Sequence, residues 1–117
     1  MTPQEIKDKI LEILKEKKVD DVTVIDVSKQ TEIADYMIIM TGRNNTHVRT
    51  LCDFIEEKAE KQGIYATRKE GVREGRWVVL DYASVLVHIF NKEMRGYFAL
   101  EQLWENGDNV THILDEE

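Results

Sequence analysis

Three groups of residues have the types, and in part the spacing, that chemistry requires. The first lies in IIMTGRNNTHV, residues 38–48, where an apolar run stops at Thr41-Gly42 and Asn44, Asn45 and Thr46 lead into a helical pattern. Strand, glycine turn and helix N-terminus together can hold a phosphate on backbone N–H groups. A P-loop would add glycines and a Gly-Lys-Ser/Thr end, and a dinucleotide fingerprint needs three glycines, whereas Gly42 stands alone here. The scaffold role is therefore favoured: Gly42 permits an unusual backbone angle, and Asn44, Asn45 or Thr46 caps the helix. The second group is His47, His88, His112 and Cys52. No pair has metal-ligand spacing, and Cys52 has no cysteine partner. His47 and Cys52, five apart, fall on different helix faces. Cys52 reads as small core filler, and His88, between Val87 and Ile89, as a hydrogen-bonded, partly buried imidazole. The third group is Asp26, Asp35 and Asp81, in or beside strands. Acid–base or two-metal chemistry needs convergent carboxylates, and a nucleotidyltransferase would show Gly-Ser followed by Asp-x-Asp on a strand. Neither occurs, so the three read as turn caps and strand edges. Asp81 stands apart because strand alternation puts it on the side of Trp77 and Val79. No catalytic residue, metal ligand or cofactor is assigned.

The elements that must position these residues follow from pattern. Thr2-Pro3-Gln4-Glu5 is a helix start with a capping box, continued by Ile6, Ile10, Ile13 and Leu14, with Lys15, Lys17 and Lys18 near its negative end. Asp20-Asp21 is a turn, and Val22–Val27 is strand-like. Ala34–Thr41 is apolar on both faces, as suits a central strand covered on both sides. A helix spans about Thr46–Gln62, with Val48, Leu51, Cys52, Ile55 and Ala59 as its stripe and Gly63 just past its end. Residues 64–69 form a short strand, Gly71–Gly75 a turn, and RWVVLDYASVLVHIF (76–90) two strands hinged at Ala83-Ser84. The last helix runs from about Lys92 to Glu105, with Tyr97, Leu100 and Trp104 on one row and Met94 and Phe98 on the next. Gly96 weakens it by roughly 1 kcal/mol against Ala. Two adjacent strands before a helix argue against strict βαβ winding, so the fold class is α+β, with one mixed sheet of about five strands and helices packed on it. The core domain is residues 1–107. Residues 108–117 form an acidic tail, in which 110–114 is briefly apolar and 115–117 is frayed.

The totals exclude some functions. The chain has 117 residues, enough for one core, and a formal net charge of −7. That charge repels phosphate backbones, so direct, non-specific nucleic-acid binding, DNA included, is not expected, and it suits a basic protein partner. A single cysteine fits a reducing compartment. No signal peptide or membrane span is expected, and the sequon Asn109-Val110-Thr111 reads as chance.

ADYMIIMTG, THVRTL, GRWVVLDYASVLVHIF and LEQLW, in that order from about Ile6 to Trp104, resemble the ribosomal silencing factor family (RsfS, Iojap-like or YbeB). The resemblance implies a nucleotidyltransferase-like fold without the catalytic motif. It implies a non-enzymatic, cytoplasmic protein that binds ribosomal protein fourteen of the large ribosomal subunit, blocks small-subunit joining and represses translation, and that is a homodimer when free. Carried over by position, the partner-binding residues are Trp77, Val79 and Tyr82 from the strand and Met94, Tyr97 and Phe98 from the last helix, with Trp77 as anchor and Asp81 and Glu93 as rim charges. The chain departs from the family at Gly96, often charged, and at Ala99, often acidic. Two other readings compete: a nucleotidyltransferase-type enzyme, and a bare homodimerisation module.

Overall fold

Thr2 begins the first helix as its residue type requires. Its hydroxyl accepts from the Glu5 N–H at 3.1 Å, and Glu5 Oε1 accepts from the Thr2 N–H at 3.1 Å. The structure, a computed structural model, describes residues 1–17 and 19–113. Lys18, Leu114 and the acidic end 115–117 lie outside them. The elements are α1 (Pro3–Lys15), β1 (Asp20–Asp26), β2 (Tyr36–Gly42), α2 (Asn45–Lys61), β3 (Arg68–Glu70), β4 (Trp77–Asp81), β5 (Val85–Asn91), α3 (Lys92–Phe98), α4 (Leu100–Trp104) and β6 (Val110–Ile113).

The strands form one mixed sheet in the order β3-β4-β5-β2-β1-β6. Among the described residues only β2 and β5 run parallel. The class is α+β, as expected, but the sheet has six strands rather than about five. The added strand comes from the expected tail: residues 110–113 pair with Val22–Ile25 of β1. Asp20-Asp21 also differs from expectation, since it opens β1 at a register shift with Asp21 at φ 50°. The short strand expected over 64–69 is confined to Arg68–Glu70, because Ile64 is used to close α2.

β2 lies inside the sheet and is apolar on both faces for the expected reason. Ile38 and Met40 enter the core under α1 and α2, with Ile10, Leu14, Val48, Leu51, Cys52 and Ile55. Met37 and Ile39 enter a smaller core with Ile25, Val27, Phe90 and Met94, edged by Leu100 and Trp104. One face of the sheet is thus covered by two long helices, and the other by the short α3 and α4.

Gly42 is needed for a reason other than the expected one. Its φ is not positive. A Cβ there would stand 2.7 Å from Val48 Cγ2 and 3.0 Å from the Val48 nitrogen. The glycine lets α2 start hard against the end of β2. Gly42→Ala is therefore expected to destabilise by about 1–3 kcal/mol, the usual cost of overpacking, read as a lower urea midpoint with unchanged slope.

The last helix is not continuous. Ala99 sits in the left-handed region (φ 44°, ψ 49°), ending α3 and starting α4. Pattern missed the break because both halves keep apolar residues at helical spacing. A hub centred on Arg95 selects it. The guanidinium donates to Glu101 Oε2 at 2.9 and 2.7 Å, to the Asp21 carbonyl at 2.7 Å, to Thr41 Oγ1 at 3.0 Å and to Thr23 Oγ1 at 3.1 Å. Positions six apart on an unbroken helix point in different directions (about 100° per residue), so this pair requires the chain to turn at Ala99.

Candidate functional site

The site is built on the half-covered face. In β4 the side chains alternate, leaving Trp77, Val79 and Asp81 half-exposed and burying Val78 and Leu80 on the other side. Across the antiparallel ladder, Trp77 faces Phe90, Val79 faces His88 and Asp81 faces Leu86. Trp77 stacks on Phe90 (centroids 5.0 Å) and meets Phe98 at 4.8 Å. Tyr97 stands edge-on to Phe98 at 5.2 Å. The outer members are open: Tyr97 is 78 % exposed, Phe98 43 % and, on α4, Leu103 73 %. Large apolar side chains gathered in one exposed patch mark interaction surfaces.

Of the eight expected partner-binding residues, Trp77, Val79, Asp81, Tyr97 and Phe98 are half-exposed or exposed on this face. Glu93 is exposed on α3. The other two are corrected. Met94 is buried and supports the patch from beneath, its sulfur 3.5 Å from Arg76 Nη2. Tyr82 lies in the core under α1 and α2, 4 % exposed, on the opposite face. Strand parity accounts for this, since Tyr82 follows Asp81 and points the other way. Leu86 and Leu103 were missed. The half-exposed Leu86 was legible as the cross-strand neighbour of Asp81 once the hinge at Ala83-Ser84 was placed.

His88 is hydrogen-bonded as expected, but it is buried rather than partly buried. Trp77 Nε1 donates to its Nδ1 at 3.1 Å, so the ring proton sits on Nε2. Burial pulls its pKa down from 6.5 to about 4. In the unfolded chain the ring titrates near 6.5, so below that pH the unfolded state binds a proton that the folded state refuses. Stability is lost as pH falls from about 6.5 to about 4, and no further loss comes from this group below that. Between pH 7.5 and 5 the expected loss is about 2 kcal/mol, from roughly 1.4 kcal/mol per pH unit. Urea midpoints at the two values test it, with His88→Gln expected to remove the loss. An equal loss in the variant would assign the effect to another group.

Other candidate side chains have partners within the fold. Asp26 Oδ1 accepts from the Ser28 hydroxyl at 2.6 Å and its N–H at 3.0 Å, bonds that lower the Asp26 pKa. Asp81 Oδ1 accepts from the Ala83 N–H at 2.8 Å at the hairpin. At the Thr41-Gly42 joint, Asn44 caps α2 by accepting from the His47 N–H at 2.8 Å, and His47 Nδ1 accepts from the Arg43 N–H at 2.9 Å. Cys52 is fully buried, and burial pushes its thiol up to about 11. It groups with Asp53 and Glu56, but Glu56 already bonds Lys69 at 2.9 Å, and a protonated thiol is a poor metal ligand. The Asn109 amide of the sequon is engaged by the Asp26 carbonyl, Gln30 Oε1 and the Trp104 carbonyl. No helix of the described residues is long and apolar enough to cross a membrane.

Fold and surface together define a class: a small α+β domain whose single mixed sheet is sealed on one face and presents an aromatic patch on the other. Comparison with known proteins identifies the family. The chain belongs to the ribosomal silencing factor family, whose profile, described as "Ribosomal silencing factor during starvation", matches residues 1–117. It is 35% identical over 100 residues to the ribosomal silencing factor RsfS of Bacillus subtilis, covering 86% of this chain and 83% of that one. A crystal structure of a Chromobacterium violaceum protein superposes with a TM-score of 0.85 at 32% identity, covering 93% of this chain and 92% of the other. A more distant mouse relative, 23% identical over 83% of this chain and 44% of its own length, is named "Mitochondrial assembly of ribosomal large subunit protein 1".

Proposed function

We propose that this protein binds the large ribosomal subunit through ribosomal protein fourteen, prevents the small subunit from joining, and so represses translation without catalysing a reaction. The observation that carries the reading is the exposed aromatic patch of Trp77, Tyr97 and Phe98 beside α4. Exposed Tyr and Phe beside a half-buried Trp have the composition of an interface centre. The family assignment supplies the ribosomal target, and the mouse relative's name speaks of the large subunit. The formal charge of −7 favours encounter with a basic protein. Cytoplasmic action follows from this target.

In the free chain the same patch is proposed to be covered by a second copy, so that homodimer and ribosome compete for it. The test is co-sedimentation of the protein with purified large subunits and pull-down on isolated ribosomal protein fourteen, followed by addition of small subunits. Binding to both targets with loss of joined ribosomes is expected. A protein that stays in the supernatant, or that pellets without reducing joining, would overturn the reading. Sedimentation velocity of the free protein tests the dimer.

A further inference from the structure

The six arginines of the chain are Arg43, Arg49, Arg68, Arg73, Arg76 and Arg95. Two are paired, Arg68 with Glu70 and Arg95 with Glu101. Among the described residues the other four form no ion pair, and all four gather at one place. Arg43 follows Gly42, which pairs with Asn91 across β2 and β5. Arg49 Nη1 donates to the carbonyls of Arg73 and Glu74 at 3.3 and 3.2 Å, which ties the 71–75 turn to α2. Asn91 bridges both sides: its N–H donates to the Arg76 carbonyl at 3.0 Å and its side chain to Asn45 Oδ1 at 2.8 Å. Lys92 comes next in the chain.

This is the carboxyl end of the parallel pair β2 and β5, from which α2 leaves over one face and α3 over the other. In open sheets, ligands are held at such a switch point. Arg43, Arg73, Arg76 and Lys92 are exposed. Glu74 and Glu93 are the acidic residues of the same segments, so five cations stand against two carboxylates in a chain whose net charge is −7. Arg76 also reaches Met94 beneath the aromatic patch, so the basic area adjoins the patch.

We propose that this arginine cluster holds the phosphate backbone of RNA on the large subunit, next to the protein surface engaged by the aromatic patch. The inference rests on the function proposed above. A basic protein partner would be repelled by these arginines, whereas phosphates accept two N–H bonds from one guanidinium. The overall acidity still opposes binding to free RNA, so the cluster acts only once the aromatic patch has docked. It then sets orientation and adds salt dependence rather than sequence choice.

The test compares wild type with Arg43→Ala/Arg73→Ala, two side chains without hydrogen bonds among the described residues, after circular dichroism shows the same fold. Affinity is measured for purified large subunits and for isolated ribosomal protein fourteen over a potassium chloride series. On subunits, binding roughly tenfold weaker is expected, with the slope of log affinity against log salt shallower by about two, one for each phosphate no longer neutralised. On the isolated protein the variant should match wild type. An equal loss on the isolated protein places the arginines against protein and overturns the inference, as does unchanged affinity and slope on subunits. Failure of the wild type on both targets removes the function proposed above, and this inference with it.

Discussion

Trp77→Ala is expected to weaken binding to large subunits by about 30-fold or more, the equivalent of roughly 2 kcal/mol for truncating an interface anchor. Trp77 is the residue for which the effect should be largest. It meets Phe90 and Phe98 through its ring and His88 through its N–H, so its removal collapses the centre of the patch and frees His88 Nδ1. The same interactions make it partly structural, and some stability goes with it. Tyr97→Ala separates the two effects. Its ring is 78 % exposed and touches only Phe98 among the aromatic rings of the described residues, so stability should be unchanged while affinity falls by about tenfold. The checks are co-sedimentation for binding and urea titration for stability. Wild-type affinity in both variants would show that the patch does not face the ribosome. If Trp77→Ala turned a dimer into a monomer yet still bound subunits, the patch would serve the dimer alone.

Arg95→Ala should be the most damaging single change to the fold of α3 and α4. The guanidinium and its Glu101 partner are 13% and 22% exposed. Removing the cation leaves a carboxylate short of solvent and takes a donor from Thr41 Oγ1, from the Asp21 carbonyl and from Thr23, whose hydroxyl keeps His112 Nδ1 at 3.1 Å. Breaking a pair of this kind by deleting one partner costs about 3 kcal/mol. Arg95→Lys should recover only part of it, because one ammonium cannot reach four acceptors in a planar fork. Joint replacement by Arg95→Met and Glu101→Leu should recover more, since no charge is then left unpaired. Urea unfolding measures all three, and hydrogen exchange over residues 92–104 locates the loss. Wild-type stability in Arg95→Ala would show that something else sets the turn at Ala99.

Residues decided by local rules were legible in the sequence. Thr2, Glu5 and Gly63 are read from the backbone groups they must satisfy, and β2 from being apolar on two faces. The aromatic patch was legible through strand parity at Trp77, Val79 and Asp81. Parity rightly applied would also have removed Tyr82. What was not legible depends on residues far apart in the chain. Arg95 reaches Asp21 and Thr23 across more than 70 positions, and no periodicity encodes that reach. The role of Gly42 was misread because a close approach to Val48 and a special backbone angle both ask for glycine. Residues 110–113 were read as tail because four residues are too few to show alternation, and their strand exists only because β1 offers a partner. The arginine cluster was hidden by the net charge, a sum that discards position.

That last strand has a consequence for handling the protein. β1 is seven residues long and carries Val22, Val24 and Ile25. Its outer row of backbone N–H and C=O groups is engaged by β6. A chain cut after Glu105 would keep every residue of the aromatic patch and the arginine cluster, yet it would turn β1 into a bare edge. Long apolar edges recruit other strands. Val110 and Ile113 also pack against the two cores, so a protein shortened in this way is expected to lose both a cover over the β1 edge and part of its packing, and to precipitate more readily.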